Sequence, residues 1–393
     1  MHHEGGTGRE WHSFTRPDGW GAGALALLMA SVAWPQEREV TAASPAVADI
    51  QAAIRRLPNG GVVRVPAGEA EAIGSVRLPG GVILAGAGWE KTKLFRGPAS
   101  NMMKGESVIE ANGANGKPVM IAGLNLVGFL DPASAGWDNG ISVRDARDFR
   151  VDHCRLQRFG ASGISVNGLC RGVVDHCLFV DNFKKTINNV GYGVVVMGTK
   201  VWRDDLVPGS ADSVFIEDCE FVGSRHAVAS NAGARYVFRH NHVHGNDNSQ
   251  AVDCHGPGYG SAHGTQWVEV YENLIEKPVG GSDAVVLRGG GGVVFRNTLR
   301  DYRNGIVLTL DFDRSVDWSR PYPIPEQVQN MWVWDNTLDG KPVAPSVPQR
   351  SAGHIRLDRD YFTKPQGGYK PYAYPHPLAK GGPFDRGQKS RNP

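Results

Sequence analysis

The sequence predicts an all-β chain wound as a solenoid of short parallel strands. A six-residue pattern recurs at a basic interval of 22–24 residues, and the positions around its anchor keep a fixed apolar–polar order. Composition agrees: 51 glycines and 24 prolines among 393 residues favour many turns over long helices. Such a length suits two ordinary domains or one large repetitive one.

From the N-terminus, Gly21–Ala33 (GAGALALLMASVA) is apolar but too short to anchor in a bilayer. It ends in Ser31-Val32-Ala33, the small-x-small form of a signal-peptidase site. Residues 1–40 are therefore read as a secretory signal or extension, with a buried N-terminal element as the alternative, and the protein as secreted or periplasmic. Asp49–Glu69 reads as a short amphipathic helix, a turn and a first strand, and Gly80–Gly88 and Val119–Gly128 continue the coils. The repeat itself runs VDHCRL, VDHCLF, IEDCEF, FRHNHV, VYENLI, VFRNTL and VWDNTL, anchored on Cys154, Cys177, Cys219, Asn241, Asn273, Asn297 and Asn336. Successive anchors are 23, 42, 22, 32, 24 and 39 residues apart, so the larger intervals mark insertions between coils. Two residues after each anchor the side chain is always apolar, and immediately before it always polar. Such columns describe strands with one face inward. Past residue 340 the chain turns Pro-, Gly- and Tyr-rich.

The Cys/Asn anchor resembles the internal ladder of right-handed parallel β-helix proteins. Asp49–Glu69 resembles the N-terminal helical cap and opening coil of their pectate-lyase-like members, some of them secreted bacterial polysaccharide lyases. The resemblance spans roughly residues 45–340 and implies a right-handed single-stranded parallel β-helix over 41–340. Asp360–Leu378 resembles the extended tail closing some of these proteins, so 341–393 is expected to pack on the coils. The anchor cysteines are then small core residues. Five cysteines without a CxxC pair signal neither a disulfide framework nor a zinc ribbon.

The stretch Phe238–Gly256, FRHNHVHGNDNSQAVDCHG, contains four histidines. His242 and His244 flank inward Val243 and are expected on the outer surface. His240 belongs to the polar turn column with His153 and His176, so these three alternating histidines are not expected to share one ion. A second strand column aligns Gly140, Gly163, Gly193, His226, Gln250, Asp283 and Gly305 as first residues. It places Asn231, His255 and Arg288 side by side, strands being about 4.8 Å apart, and His226, Gln250 and Asp283 at the other end. The same alignment puts Asp253 in an inward column, an awkward place for a carboxylate unless a bulge turns it out or it fixes His255. Insertions at 199–213, 256–266 and 311–329 follow these strands, and 181–192 precedes one. They bring Lys184, Lys185, Lys200, Trp202, Arg203, Asp204, Asp205, Tyr259 and His263 to the rim of a cleft.

A β-helix with a polar cleft over one sheet resembles polysaccharide lyases and hydrolases. A lyase acting on an acidic sugar neutralises the uronate carboxylate, takes the C5 proton and assists the leaving oxygen. Arg288, Arg225 and Asn231 suit the carboxylate, with Asp253, Gln250 and the rim residues as further substrate contacts. His255 or His226 suits the base, with Lys184 or Lys185 as rival. Calcium held by Asp204, Asp205 or Asp283 is an alternative carboxylate binder. A polygalacturonase-like hydrolase would use Asp253 and Asp283 instead, and a non-catalytic carbohydrate binder is the third reading. A formal charge of +2 calls for no nucleic acid. The expected partner is an acidic polysaccharide, bound by a monomer without stable membrane insertion.

Overall fold

The computed structural model describes residues 38–97, 100, 106–129, 138–183, 190–245, 249–258, 261–277, 282–311 and 319–383. Gly21–Ala33, Lys184, Lys185 and Tyr259 lie outside them.

The chain is a right-handed parallel β-helix. Among the described residues its three sheets hold twelve, eleven and nine strands, and each complete coil gives one strand to each sheet. One coil shows the order: His226–Asn231 in the nine-stranded sheet, Arg235–Arg239 in the twelve-stranded one, His242–His244 in the eleven-stranded one. The next coil then begins at Val252–Cys254. Inward residues from all three sheets, such as Val228, Phe238 and Val243, merge into one continuous core.

The turn between the twelve- and eleven-stranded sheets explains the polar column. His153, His176, Asp218, His240, Glu272, Arg296 and Asp335 all have φ between 46° and 56°, the left-handed region. A residue there stands on the outer side of a sharp corner, and apolar β-branched residues avoid that geometry. The anchor that follows points inward. Asn241, Asn273, Asn297 and Asn336 form a ladder in which each side-chain oxygen accepts the backbone N–H of the preceding anchor, at 3.0–3.2 Å. Cys154, Cys177 and Cys219 occupy the same column as buried free thiols.

Near its N-terminus the helix Val47–Arg55 buries Ile50, Ala53 and Ile54 beside Val40, Val63 and Val76. Toward the C-terminus, Tyr361–Phe362 adds the last strand of the twelve-stranded sheet, beside Met331 and Trp332. The last strand of the eleven-stranded sheet, Lys341–Pro342, pairs antiparallel with Thr337–Leu338. The following segment is fastened across the outer face of the twelve-stranded sheet. Arg239 donates to the carbonyls of Tyr372 and Ala373 at 2.7 and 2.8 Å, and Tyr369 donates to Glu269 at 2.6 Å. Among the described residues no helix is long and apolar enough to cross a membrane.

Candidate functional site

The nine-stranded sheet carries the site, and its true register differs from the expected one. Tyr192, not Gly193, pairs with His226, and Asn304, not Gly305, pairs with Asp283. Val196 therefore sits opposite Ser230, which lies beside Cys254, and Cys254 beside Leu287. This is the inward column. Asp253 belongs to the neighbouring column of Ser142, Ser165, Val195, Ala229, Val286 and Val307, which faces outward. The inward placement of Asp253 is thus corrected without any bulge. Asn231, His255 and Arg288 do follow one another across the strands, on the same outer face.

Asp253 is the hub. Its Oδ1 lies 2.7 Å from the Arg288 guanidinium, and its Oδ2 lies 3.2 Å from His255 Nε2 and 3.4 Å from His226 Nε2. Its side chain is 1% exposed. Burial opposes the charged form, but His226, Arg288 and His255 outweigh it and hold the carboxyl well below the usual carboxylate range. His255 is gripped from both sides, because its Nδ1 lies 3.2 Å from Asp311 Oδ2. Burial again works against charge, yet the two carboxylates raise the imidazole to about 9, so it is an imidazolium at neutral pH. Asp311 also accepts the Gly256 N–H at 3.0 Å and stands 3.8 Å from Arg288. His226 has the opposite character. It is fully buried, stacks on Tyr192 with ring centres 5.5 Å apart, and contacts the Gln250 carbonyl through Nδ1 at 2.6 Å. Burial pushes it down to about 4 and keeps it neutral.

The two histidines thus differ in access: His226 is fully buried, whereas His255 is 20% exposed beside Arg288. Asp311 is the residue that sequence reasoning missed. It lies 56 residues beyond His255, at the start of an insertion, although its place just past the strand Asn304–Leu308 put it on this sheet's edge.

The remaining predicted residues are spread more widely. Arg225 stands at the margin, 3.5 Å from the Tyr192 hydroxyl. Asn231 is buried and engaged locally, accepting from Ala232 N and donating to the Gly258 carbonyl. Gln250 bonds Ser249 and offers its carbonyl to His226. Trp202 donates to the Gly264 carbonyl at 3.0 Å, and His263 contacts Glu326, so both tie loop to loop. Lys200 is exposed in a left-handed turn. Arg203 and Asp205 join Arg235 and Asp212 in an ion-pair network that pins the 199–213 insertion to the twelve-stranded sheet. Asp204 is exposed beside them. Asp283 pairs instead with Arg303 and Asn304, three strands along from the Tyr192–Met197 strand or roughly 14 Å by strand spacing. These three aspartates do not converge on one point.

The same outer face continues toward the N-terminus as Arg77, Glu110 and Ser142, with Asn112 and Arg144 alongside. These residues line a cavity of about 560 Å³.

The chain matches no protein-family model and no curated protein. Among solved structures it is similar to a family 28 exopolygalacturonase of Yersinia enterocolitica, with TM-score 0.51 and 14% identity over 78% of this chain and 66% of that one. It is also similar to an alginate lyase of a Paenibacillus species, with TM-score 0.47 and 10% identity over 79% of this chain and 98% of that one. A Geobacillus virus E2 protein matches at TM-score 0.47 and 12% identity, covering 76% of this chain and 56% of that one. The chain thus spans just under two thirds of the exopolygalacturonase and just over half of the viral protein. These likenesses concern the fold.

Proposed function

We propose that the chain is a carbohydrate-active enzyme that cleaves an acidic, uronate-containing polysaccharide by β-elimination on the outer face of the nine-stranded sheet. The observation that carries this reading is the order of charge. The cations His255 and Arg288 are 20% and 17% exposed, whereas the carboxylates Asp253 and Asp311 behind them are each 1% exposed. A substrate meets the positive layer first.

In an elimination, neutralising the uronate carboxylate acidifies the C5 proton, and a proton delivered to the 4-oxygen helps it depart. Arg288 suits the first task, since a guanidinium binds a carboxylate with two parallel hydrogen bonds. The imidazolium of His255, aligned by Asp253 and Asp311, suits the second. We assign the base to Lys184 or Lys185 of the 181–192 insertion. A bound calcium remains the alternative neutraliser for the carboxylate. The cavity beside Arg77 and Arg144 extends the same face and gives a long chain further room. Hydrolysis is the second reading, because Asp253 and Asp311 flank His255 as a pair of carboxylates. Their burial weighs against it. The signal-like run Gly21–Ala33 supports action outside the cytoplasm.

The test is incubation of the full chain with polygalacturonate, alginate and glucuronan, with calcium or with chelator, following the ultraviolet absorbance of unsaturated uronate and the reducing ends together. Both should rise, and both should be lost in Arg288→Ala. Reducing ends without absorbance would select the hydrolase. No change on any glycan would leave a binding solenoid and end the enzymatic reading.

A further inference from the structure

The coil that supplies His226 to one sheet presents a second histidine cluster on another. His242 and His244 alternate on the strand His242–His244, so both imidazoles stand on the outer face of the eleven-stranded sheet, their rings stacked at 4.4 Å. The neighbouring strands bring a carboxylate from each side. Glu220 pairs with His242 in register but reaches diagonally to His244 Nε2 at 2.8 Å, and Glu276 reaches His242 Nε2 at 2.7 Å. Arg300 holds the other oxygen of Glu276 at 2.6 Å. One ligand atom from each of Glu220, His242 and His244 lies within 4.8 Å of the other two.

We propose that Glu220, His242 and His244 form a divalent transition-metal site, best matched to Zn²⁺, on the outer face of the eleven-stranded sheet. Two imidazoles and one carboxylate are a borderline nitrogen–oxygen set that zinc accepts and that calcium and magnesium, which prefer all-oxygen shells, do not. Tetrahedral zinc with bonds of about 2.0–2.2 Å needs its ligand atoms about 3.3 Å apart. Small rotations of these partly exposed side chains close that gap, and the stiff strand pair supplies the spacing. In the metal-free state each Nε2–H donates to a carboxylate. A bound zinc would take the two Nε2 lone pairs, each neutral imidazole then carrying its one proton on Nδ1. Glu276 stands beside the ion with its second oxygen held by Arg300, and the fourth position falls to water.

A second cluster of the same composition, Asp152, His153 and His176, makes a useful contrast. There Arg150, fully buried, already lies 3.1 Å from Asp152 and 2.8 Å from Asp175. A buried guanidinium already supplies the positive charge beside the Asp152 carboxylate. Among the described residues no arginine is paired with Glu220, whose partner is His244.

Calorimetric titration of the chelator-treated full chain with Zn²⁺ tests the site, with Co²⁺ visible absorption reporting the geometry. The wild type should bind one equivalent that His242→Ala/His244→Ala lacks. Glu220→Gln should weaken that equivalent at least tenfold and remove the tetrahedral cobalt spectrum. His153→Ala/His176→Ala should retain it. A Zn²⁺ stoichiometry unchanged in His242→Ala/His244→Ala, or no saturable binding by the wild type, would overturn the proposal. The exposure of both histidines lets the variants fold normally, which circular dichroism checks.

Discussion

Two pairs of histidines, on two faces of adjacent turns of the solenoid, meet carboxylates in opposite ways. His242 and His244 are 40% and 32% exposed, and each has a glutamate on an adjacent strand. His226 and His255 share one buried aspartate and are 0% and 20% exposed. On the open face water solvates either partner when they separate, so each ion pair contributes little to stability. Around Asp253 no water replaces a lost partner, and the charges depend on one another. Residue type alone therefore does not distinguish a solvated pair from an obligatory one; the depth of the carboxylate does.

The largest expected effect tests whether only the buried pair serves chemistry. His255→Ala should reduce cleavage of a responsive polyuronate by about 10²–10⁴-fold, whereas His242→Ala/His244→Ala should stay within about twofold of wild type. Equal losses in steady-state kinetics would break the contrast. Next comes stability. Asp253→Asn removes the buried carboxylate that Arg288 and His255 share, leaving both cations to Asp311, and should cost up to about 3–5 kcal/mol in denaturant unfolding. Glu220→Gln on the open face should cost less than about 1 kcal/mol.

A pH titration of stability sharpens the comparison further. His255 is raised from 6.5 to about 9 in the folded state, so its contribution is complete below pH 6.5 and is lost as pH rises through about 9. His226 is lowered to about 4, so the unfolded chain takes that proton first and stability falls as pH drops from 6.5 toward 4. His255→Gln should flatten the alkaline limb and leave the acid limb in place, and an unchanged alkaline limb would assign the slope to another group. The smallest effect belongs to His242→Ala, which should move the unfolding free energy by less than about 0.5 kcal/mol.

The solenoid was legible because its corner repeats one geometric demand. The left-handed residue and the inward anchor recur as adjacent columns, whichever residues fill them, from His153–Cys154 to Asp335–Asn336. The register of the nine-stranded sheet was less legible because polar and apolar residues do not separate between its two faces there. Ser230 is polar but inward, bonded to Thr265 at 2.8 Å, while Ala229, Val286 and Val307 are apolar but outward. Alternation loses its sign where an inward position is polar and outward positions are apolar. A shift of one residue at Gly193 then sent Asp253 to the wrong side, although Asn231, His255 and Arg288 kept their order. Asp311 escaped notice for another reason: its partners lie in earlier coils, and an insertion interrupts the period just after it.

The closing hairpin of the eleven-stranded sheet bears on how the molecule behaves in a crowd. Stacked parallel coils are a template that another copy could extend indefinitely, rung upon rung, as in a fibre. Here the chain reverses at Gly340, so the outermost rung, Lys341–Pro342, runs against the grain. That rung carries a charge and a proline lacking an N–H, two features that discourage edge-to-edge growth. The particle ends its own sheet with a mismatched rung, and high local concentration meets a terminus rather than a seed.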